Sequence, residues 1–156
     1  SLGQHFLKDE NIAKKIIDCL LMGLTHNKVL EVGPGMGILT KYLNQNEQLD
    51  ITLIEIDSDS VKYLKDRFSD QHINIIEDDF LKVDLQKIWK SDMAIVGNFP
   101  YNISSQILFK VLAHVEIVDT VVGMFQKEVA ERIASSPGTK KYGILSVLIQ
   151  DRKSVE

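Results

Sequence analysis

At 156 residues, with 44% apolar and 26% charged side chains, the chain is long enough for one domain with a buried core and has the balance of an ordinary globular protein. A net charge of −4 and a pI near 5.6 exclude a protein whose composition alone announces nucleic-acid binding, so any RNA contact needs a local basic surface or one supplied from outside this chain. One cysteine, Cys19, can form neither an internal disulfide nor a metal cluster. No metal and no membrane partner are expected. No apolar run approaches a membrane span and the N-terminus lacks a signal-peptide pattern, and a cytoplasmic home is the expectation that fits these features.

The opening stretch, Ser1 to Leu7, is too short for a core strand, and Asp9 is a plausible cap for the helix that follows. Ile12, Ala13, Ile16, Ile17, Leu20 and Leu21 recur at helical spacing, with Lys14, Lys15 and Asp18 on the other face and Cys19 in the apolar stripe. Lys28 to Gly33 reads as a strand running into Pro34-Gly35-Met36-Gly37, after which Ile38, Leu39, Tyr42 and Leu43 face one side of a short helix. A second strand spans Ile51 to Ile56, and Asp57-Ser58 can cap a helix bearing Val61, Leu64 and Phe68. Ile73 to Ile76 makes a third strand that closes on Glu77-Asp78-Asp79-Phe80, and Asp84 to Trp89 is a short helical turn. A fourth strand, Met93 to Gly97, opens into Asn98-Phe99-Pro100-Tyr101. Ser104 or Ser105 caps a helix with Ile107, Leu108, Val111 and Leu112 inward, and Thr120 to Phe125 is the fifth strand. Val129, Ala130 and Ile133 mark a further helix stopped by Pro137-Gly138, whereas Gly143 to Gln150 fits either period and is assigned to helix. Strands alternating with helices of this length predict a Rossmann-like α/β domain with a mostly parallel sheet.

Ligands of open α/β sheets bind at the C-terminal ends of the strands. Three features fall there. Glu31-Val32-Gly33-Pro34-Gly35-Met36-Gly37 has glycines in a G-x-G-x-G spacing, not the G-x-G-x-x-G of a nicotinamide fingerprint, because Ile38 stands where the third glycine would be. Glu55 follows about twenty residues later, where a carboxylate accepts from ribose hydroxyls. Asp57 is nearby and reads as a helix cap. Asp78-Asp79-Phe80 closes the third strand, where a carboxylate can accept from an adenine amine and the Phe80 amide can answer a ring nitrogen. Any one of these could be a solvated or tight turn; at three successive strand ends coincidence is much less likely, and because the G-x-G-x-G form resembles that of S-adenosylmethionine-dependent methyltransferases, the cofactor this likeness implies is S-adenosylmethionine. After the fourth strand, Pro100 stiffens a loop that can hold an amide and a ring at fixed separation, which suits a flat heterocycle with an exocyclic amine.

The combination resembles the small-subunit (16S) ribosomal RNA adenine dimethyltransferases, in their bacterial form. Gly3-Gln4-His5-Phe6-Leu7 looks like that family's N-terminal motif, Glu31 to Gly37 its cofactor loop, and Asn98-Phe99-Pro100-Tyr101 its N-L-P-Y motif with Phe in place of Leu. Gln126 to Arg132 and Tyr142 to Val147 are further similar segments, and the likeness runs from Leu2 to Gln150. The resemblance implies a catalytic domain over residues 1–150, with cofactor contacts from Gln4, His5, Leu7, Glu31, Gly33, Gly35, Gly37, Glu55, Ile56, Asp79, Phe80 and Asn98. It implies catalytic roles for Asn98, Phe99, Pro100 and Tyr101. The Asn98 oxygen and the Phe99 or Pro100 carbonyl would accept the two protons of the target amine, Tyr101 would stack on the target base, and Gln4 and Phe6 would close the entrance.

Residues 151–156 depart from the family pattern, which continues through a final strand pair, an F-x-P-P-P-K-V motif and a helical domain. The chain therefore reads as a truncated catalytic core, with the fifth strand left as a sheet edge and self-association expected. The implied partner is 16S ribosomal RNA within the small subunit, with Lys8, Lys14, Lys15, Arg132, Lys140 and Lys141 as candidate phosphate contacts. Alternatives are a 23S-directed enzyme of the macrolide-resistance type, an assembly factor acting by occupancy, and a small-molecule methyltransferase. His5 and the Gln126 segment favour the 16S branch.

Overall fold

The structure, a computed structural model, describes residues 10–69, 72–99, 103–126, 131 and 143–150. Gln4, His5, Phe6, Leu7, the Asp9 cap, Pro100, Tyr101, the helix expected around Val129 to Ile133 and the 151–156 tail lie outside the described residues, as do Lys8, Arg132, Lys140 and Lys141.

The chain runs α1 (Glu10–Gly23), β1 (Lys28–Val32), α2 (Ile38–Leu43), β2 (Asp50–Glu55), α3 (Ser58–Arg67), β3 (Ile73–Glu77), α4 (Leu85–Ile88), β4 (Met93–Asn98), α5 (Ser104–Leu112), β5 (Val118–Gln126) and β6 (Gly143–Gln150). The six strands form one sheet in the order β3-β2-β1-β4-β5-β6, and every neighbouring pair is parallel. From β1 to β5, parallel pairing follows from the helices that return the chain across the sheet between successive strands.

Alternation along the strands divides the core into two layers. Val29, Ile51, Leu53, Ala94, Val96 and Val122 face α1, α2 and α3, where Ile16, Leu20, Leu39, Leu43 and Leu64 complete the packing. Leu30, Ile54, Ile95, Val121 and Phe125 face the other way, toward Leu85 of α4 and Ile107, Leu108 and Val111 of α5. Cys19 is half-buried against the first layer, as its place in the apolar stripe predicts. Among the described residues, no helix is long and apolar enough to cross a membrane.

Asp57 caps α3 as its sequence suggests, its carboxylate accepting from the Ser60 amide at 2.9 Å. Two local expectations are corrected. Ser104 and Ser105 lie inside the first turn of α5; Ile103 holds the cap position without a side-chain hydrogen bond, and Ser104 is fully buried. Gly143 to Gln150 is a strand, not a helix, paired with β5 from Thr120↔Gly143 to Gln126↔Gln150 with one register shift between Gly123 and Met124. Its Ile144, Leu145, Val147, Leu148 and Ile149 satisfy either period, and the pairing to β5, remote in sequence, decides between them. That pairing also overturns the expectation that β5 is left as an edge, because β6 takes its outer side.

One close approach controls the sheet where the chain leaves β4. Gly97 and Gly123 are register partners, and the Phe99 ring lies over both. A Cβ on Gly123 would meet the Gly97 carbonyl oxygen at 2.2 Å and the Phe99 ring at 2.4 Å, neither of which can yield without moving β4. Gly123→Ala is therefore expected to destabilise the chain by about 1–3 kcal/mol, read from urea unfolding. An unchanged midpoint would show that the strands are not packed this closely.

Candidate functional site

The C-terminal ends of the strands are tied side by side by the backbone. The Gly33 amide donates to the Ile54 carbonyl at 2.8 Å, the Asp78 amide to the Glu55 carbonyl at 3.1 Å, and the Phe99 amide to the Met124 carbonyl at 3.3 Å. These bonds, with the β1–β4 ladder that sets Val32 beside Gly97, bring the glycine loop, Glu55, the Asp78–Phe80 turn and Asn98 onto one rim, although they are separated by tens of residues in the chain.

The glycine loop is built on three positive φ angles, at Gly33 (63°), Gly35 (58°) and Gly37 (81°). At Gly37 the chain enters α2, and a Cβ would strike the Phe68 ring at 2.6 Å. Gly33 is different: a Cβ there would meet nothing within 4 Å among the described residues, so among them only its backbone conformation requires glycine and space is open above the loop. That space is the cradle in which a ligand can approach the backbone.

Glu55 closes the cradle from β2. Its Oε1 accepts from the Gly35 amide at 2.8 Å and its Oε2 from the Asp57 amide at 3.0 Å. The side chain is buried and held at both oxygens, yet each carboxylate oxygen has a second lone pair for an incoming hydroxyl. Ile56, the next residue, is 67% exposed, and Met36 in the glycine loop is 49% exposed. Ile56 is among the residues singled out by resemblance. Met36 is not, and its signal was a large apolar side chain in the middle of a turn with no core to enter.

Glu31 lies beneath the loop and 1% exposed, so it does not face the rim as freely as Glu55. Its Oε1 accepts from the Thr40 hydroxyl at 2.6 Å. Burial raises its pKa from the ordinary 4.5 to about 8, with the Glu55 charge adding to the rise and the Thr40 hydrogen bond opposing it.

Asp79 is half-buried and spends one oxygen on its own loop, Oδ1 accepting from the Leu81 amide at 3.0 Å. Asp78 is exposed and accepts from the Asp79 amide at 2.7 Å. Phe80 is buried in the second core layer, so only its backbone is placed for ligand contact.

At the end of β4 two neighbouring residues divide the work. Phe99 is 2% exposed and stacks on Phe125, with ring centroids 4.7 Å apart and planes 16° from parallel. Its ring is thus an anchor in the core and is not available to a substrate. Asn98, also buried, has a side-chain oxygen with no hydrogen-bond partner among the described residues. A buried unpaired acceptor costs about 1–3 kcal/mol, so it is a candidate for a ligand donor. With the open glycine cradle and the tethered Glu55, this orphaned oxygen shows that the residues present fit a nucleoside cofactor beside an amine acceptor. Among the described residues, no group of three or more His, Cys, Asp or Glu is arranged for a metal ion.

The sequence profile described as "Ribosomal RNA adenine dimethylase" matches residues 1–155. The "Ribosomal RNA small subunit methyltransferase A" of Cytophaga hutchinsonii is 51% identical over 155 residues, covering 99% of this chain and 60% of that protein. The protein of the same name from Flavobacterium johnsoniae is 53% identical over 151 residues, covering 96% of this chain and 57% of that protein. The chain thus spans about 60% of the length of the curated relatives it matches. Among solved structures, a dimethyladenosine transferase from Plasmodium falciparum superposes with a TM-score of 0.67 at 32% identity, over 86% of this chain and 48% of that one. The 23S rRNA methyltransferase ErmE gives 0.65 at 28% identity, over 87% and 51%. The fold is therefore the Rossmann-like one of methyltransferases.

The buried Glu31 makes stability pH-dependent. Its folded pKa lies above its unfolded value, so the folded state holds a proton that the unfolded state releases once pH exceeds about 4.5. Glu31 therefore contributes a loss of stability that grows from about pH 4.5 to about pH 8 and is constant above. Glu31→Gln keeps an acceptor for Thr40 and cannot ionise, so its melting temperature should exceed the parent's at pH 8 and converge with it near pH 4.5. A constant difference across that range would show that Glu31 does not titrate there.

Proposed function

We propose that this chain, which belongs to the ribosomal RNA adenine dimethylase family, uses S-adenosylmethionine to dimethylate the exocyclic amines of two adjacent adenines near the 3′ end of 16S ribosomal RNA. Residues 1–150 are the catalytic domain of that enzyme. The observation that carries the reading is the buried, unpartnered oxygen of Asn98 at the end of β4, on the same rim as the glycine cradle and Glu55. The small-subunit direction is supported by the names of relatives at about half identity, against 28% for the 23S enzyme. The reading places the protein in the cytoplasm with small ribosomal subunits, in their biogenesis.

S-adenosylmethionine, when bound, supplies an electrophilic sulfonium methyl. Glu55 takes the ribose hydroxyls, the backbone of Gly33 to Gly37 lines the cradle, and Asp79 with the Phe80 amide takes the adenine. The family likeness assigns further cofactor contacts to Gln4, His5 and Leu7.

On the acceptor side, an adenine amine is a poor nucleophile because its lone pair is delocalised into the ring. Asn98 Oδ1 accepts one N–H of that amine, and a carbonyl of Phe99 or Pro100 accepts the other. Two acceptors so placed favour a pyramidal nitrogen with its lone pair directed at the methyl. No side chain has to act as a strong base, since the product ammonium is acidic and loses its proton to water. Positioning and electrostatic complementarity carry the rate. Tyr101 stacks on the extruded base, a contribution of about 1–3 kcal/mol.

With 30S particles as acceptor, Asn98→Ala should lose at least about 100-fold in methyl transfer while binding S-adenosylhomocysteine as the parent does. Undiminished transfer would remove Asn98 from the reaction. Glu55→Ala should instead weaken S-adenosylhomocysteine binding about tenfold or more, and unchanged affinity would refute the ribose assignment. Transfer to naked 23S RNA in preference to 30S particles would overturn the small-subunit reading.

A further inference from the structure

Lys110 of α5 has no part in the sequence motifs, yet it is built into the turn that follows β3. Its Nζ donates to the carbonyl oxygens of both Phe80 and Val83 and lies 5.0 Å from the Phe80 ring centroid. The same turn is wound around Asp79 from the other side. The Lys82 and Val83 amides donate to the Asp79 carbonyl at 2.9 and 3.0 Å, and the Leu81 amide to the Asp79 carboxylate at 3.0 Å. The donors of the turn thus converge on Asp79, while two of its carbonyls are gathered by one ammonium.

A half-buried lysine is a costly way to fill space. Burial pushes the Lys110 pKa down, and the carboxylates of Asp79, Asp84 and Asp78 push it back up. A methionine would pack the same site without that desolvation; what it could not do is hold two carbonyls at fixed positions. The helix that carries Lys110 begins at Ser104, only a few residues beyond Asn98. One helix therefore contacts the turn bearing Asp79 and Phe80 through Lys110 and starts a few residues after the end of β4, which bears Asn98.

We infer that Lys110 is a positioning residue for recognition of the cofactor's adenine, fixing the Asp79–Val83 turn so that the Asp79 carboxylate and the Phe80 amide meet the adenine edge. The inference rests on the assignment of Asp79 and Phe80 as adenine contacts. It adds a residue that touches neither cofactor nor RNA and acts through the carbonyls it holds.

The test compares binding of S-adenosylhomocysteine and S-inosylhomocysteine by calorimetry, since hypoxanthine replaces the amine donor of adenine with a carbonyl and protonates N1. The parent should prefer the adenine form by about tenfold or more. In Lys110→Met that preference should fall to within about threefold, chiefly through weaker binding of the adenine form, and Lys110→Arg should restore much of it. Lys110→Gln keeps amide donors without the charge and should give an intermediate preference, which serves if the methionine variant does not fold. A variant that is less stable but keeps the parent's preference would show Lys110 to be structural only and would overturn the inference. A parent that binds both ligands equally would instead overturn the assignment of Asp79 and Phe80, and the role of Lys110 with it.

Discussion

The placement of Asn98 depends on the ring that follows it. Phe99 is stacked on Phe125 and seated over two glycines, Gly97 and Gly123, that leave room for it between β4 and β5. Burying a phenylalanine contributes about 1.5–3 kcal/mol and the stacked pair about 0.5–1.5 kcal/mol more. Those terms are large enough to offset the roughly 1–3 kcal/mol cost of a buried amide oxygen with no partner. The core thus holds Asn98 in a state that it would not choose alone, and a donor from outside relieves it. Pulling Phe99 out of the core would free Asn98 to turn toward water, so the anchor and the acceptor form one device.

The remainder of the rim follows from parallel strands. Because every strand of the sheet points the same way, the loops after β1, β2, β3 and β4 open on one side, and backbone hydrogen bonds between strand ends fix their relative heights. Glu55 serves two purposes there. It fastens the glycine loop through Gly35 and the start of α3 through Asp57, and it retains lone pairs for a ligand. Glu31 lies only a short way down the neighbouring strand, but burial keeps its carboxyl protonated well above the usual range.

Much of this was legible in the residues themselves. The five strands up to Phe125, the cap at Asp57, the left-handed turn through Gly33 to Gly37 and the position of Glu55 follow from local rules that need no knowledge of the tertiary structure. Gly143 to Gln150 does not, because its apolar pattern suits a helix and a strand equally and only the ladder to β5 chooses. Ser104 misleads in a similar way: a serine at a helix start is usually a cap, and here the burial of the first turn of α5 places it inside. The division of labour between Asn98 and Phe99 was half visible. An amide after a strand signals a polar role, but that Phe99 is an anchor requires Gly123 and Phe125, which are remote in sequence. Lys110 gave no signal at all, since one lysine on a helix resembles any solvated charge until its two carbonyl partners are brought to it by the fold.

The most direct measurement is a crystal structure of the protein with S-adenosylhomocysteine and an adenosine acceptor bound. Asn98 Oδ1 should lie within about 3.2 Å of the acceptor's exocyclic nitrogen, with Phe99 still stacked on Phe125. An Asn98 side chain bonded to the protein instead, with the acceptor amine held by other groups, would contradict its role as the amine acceptor.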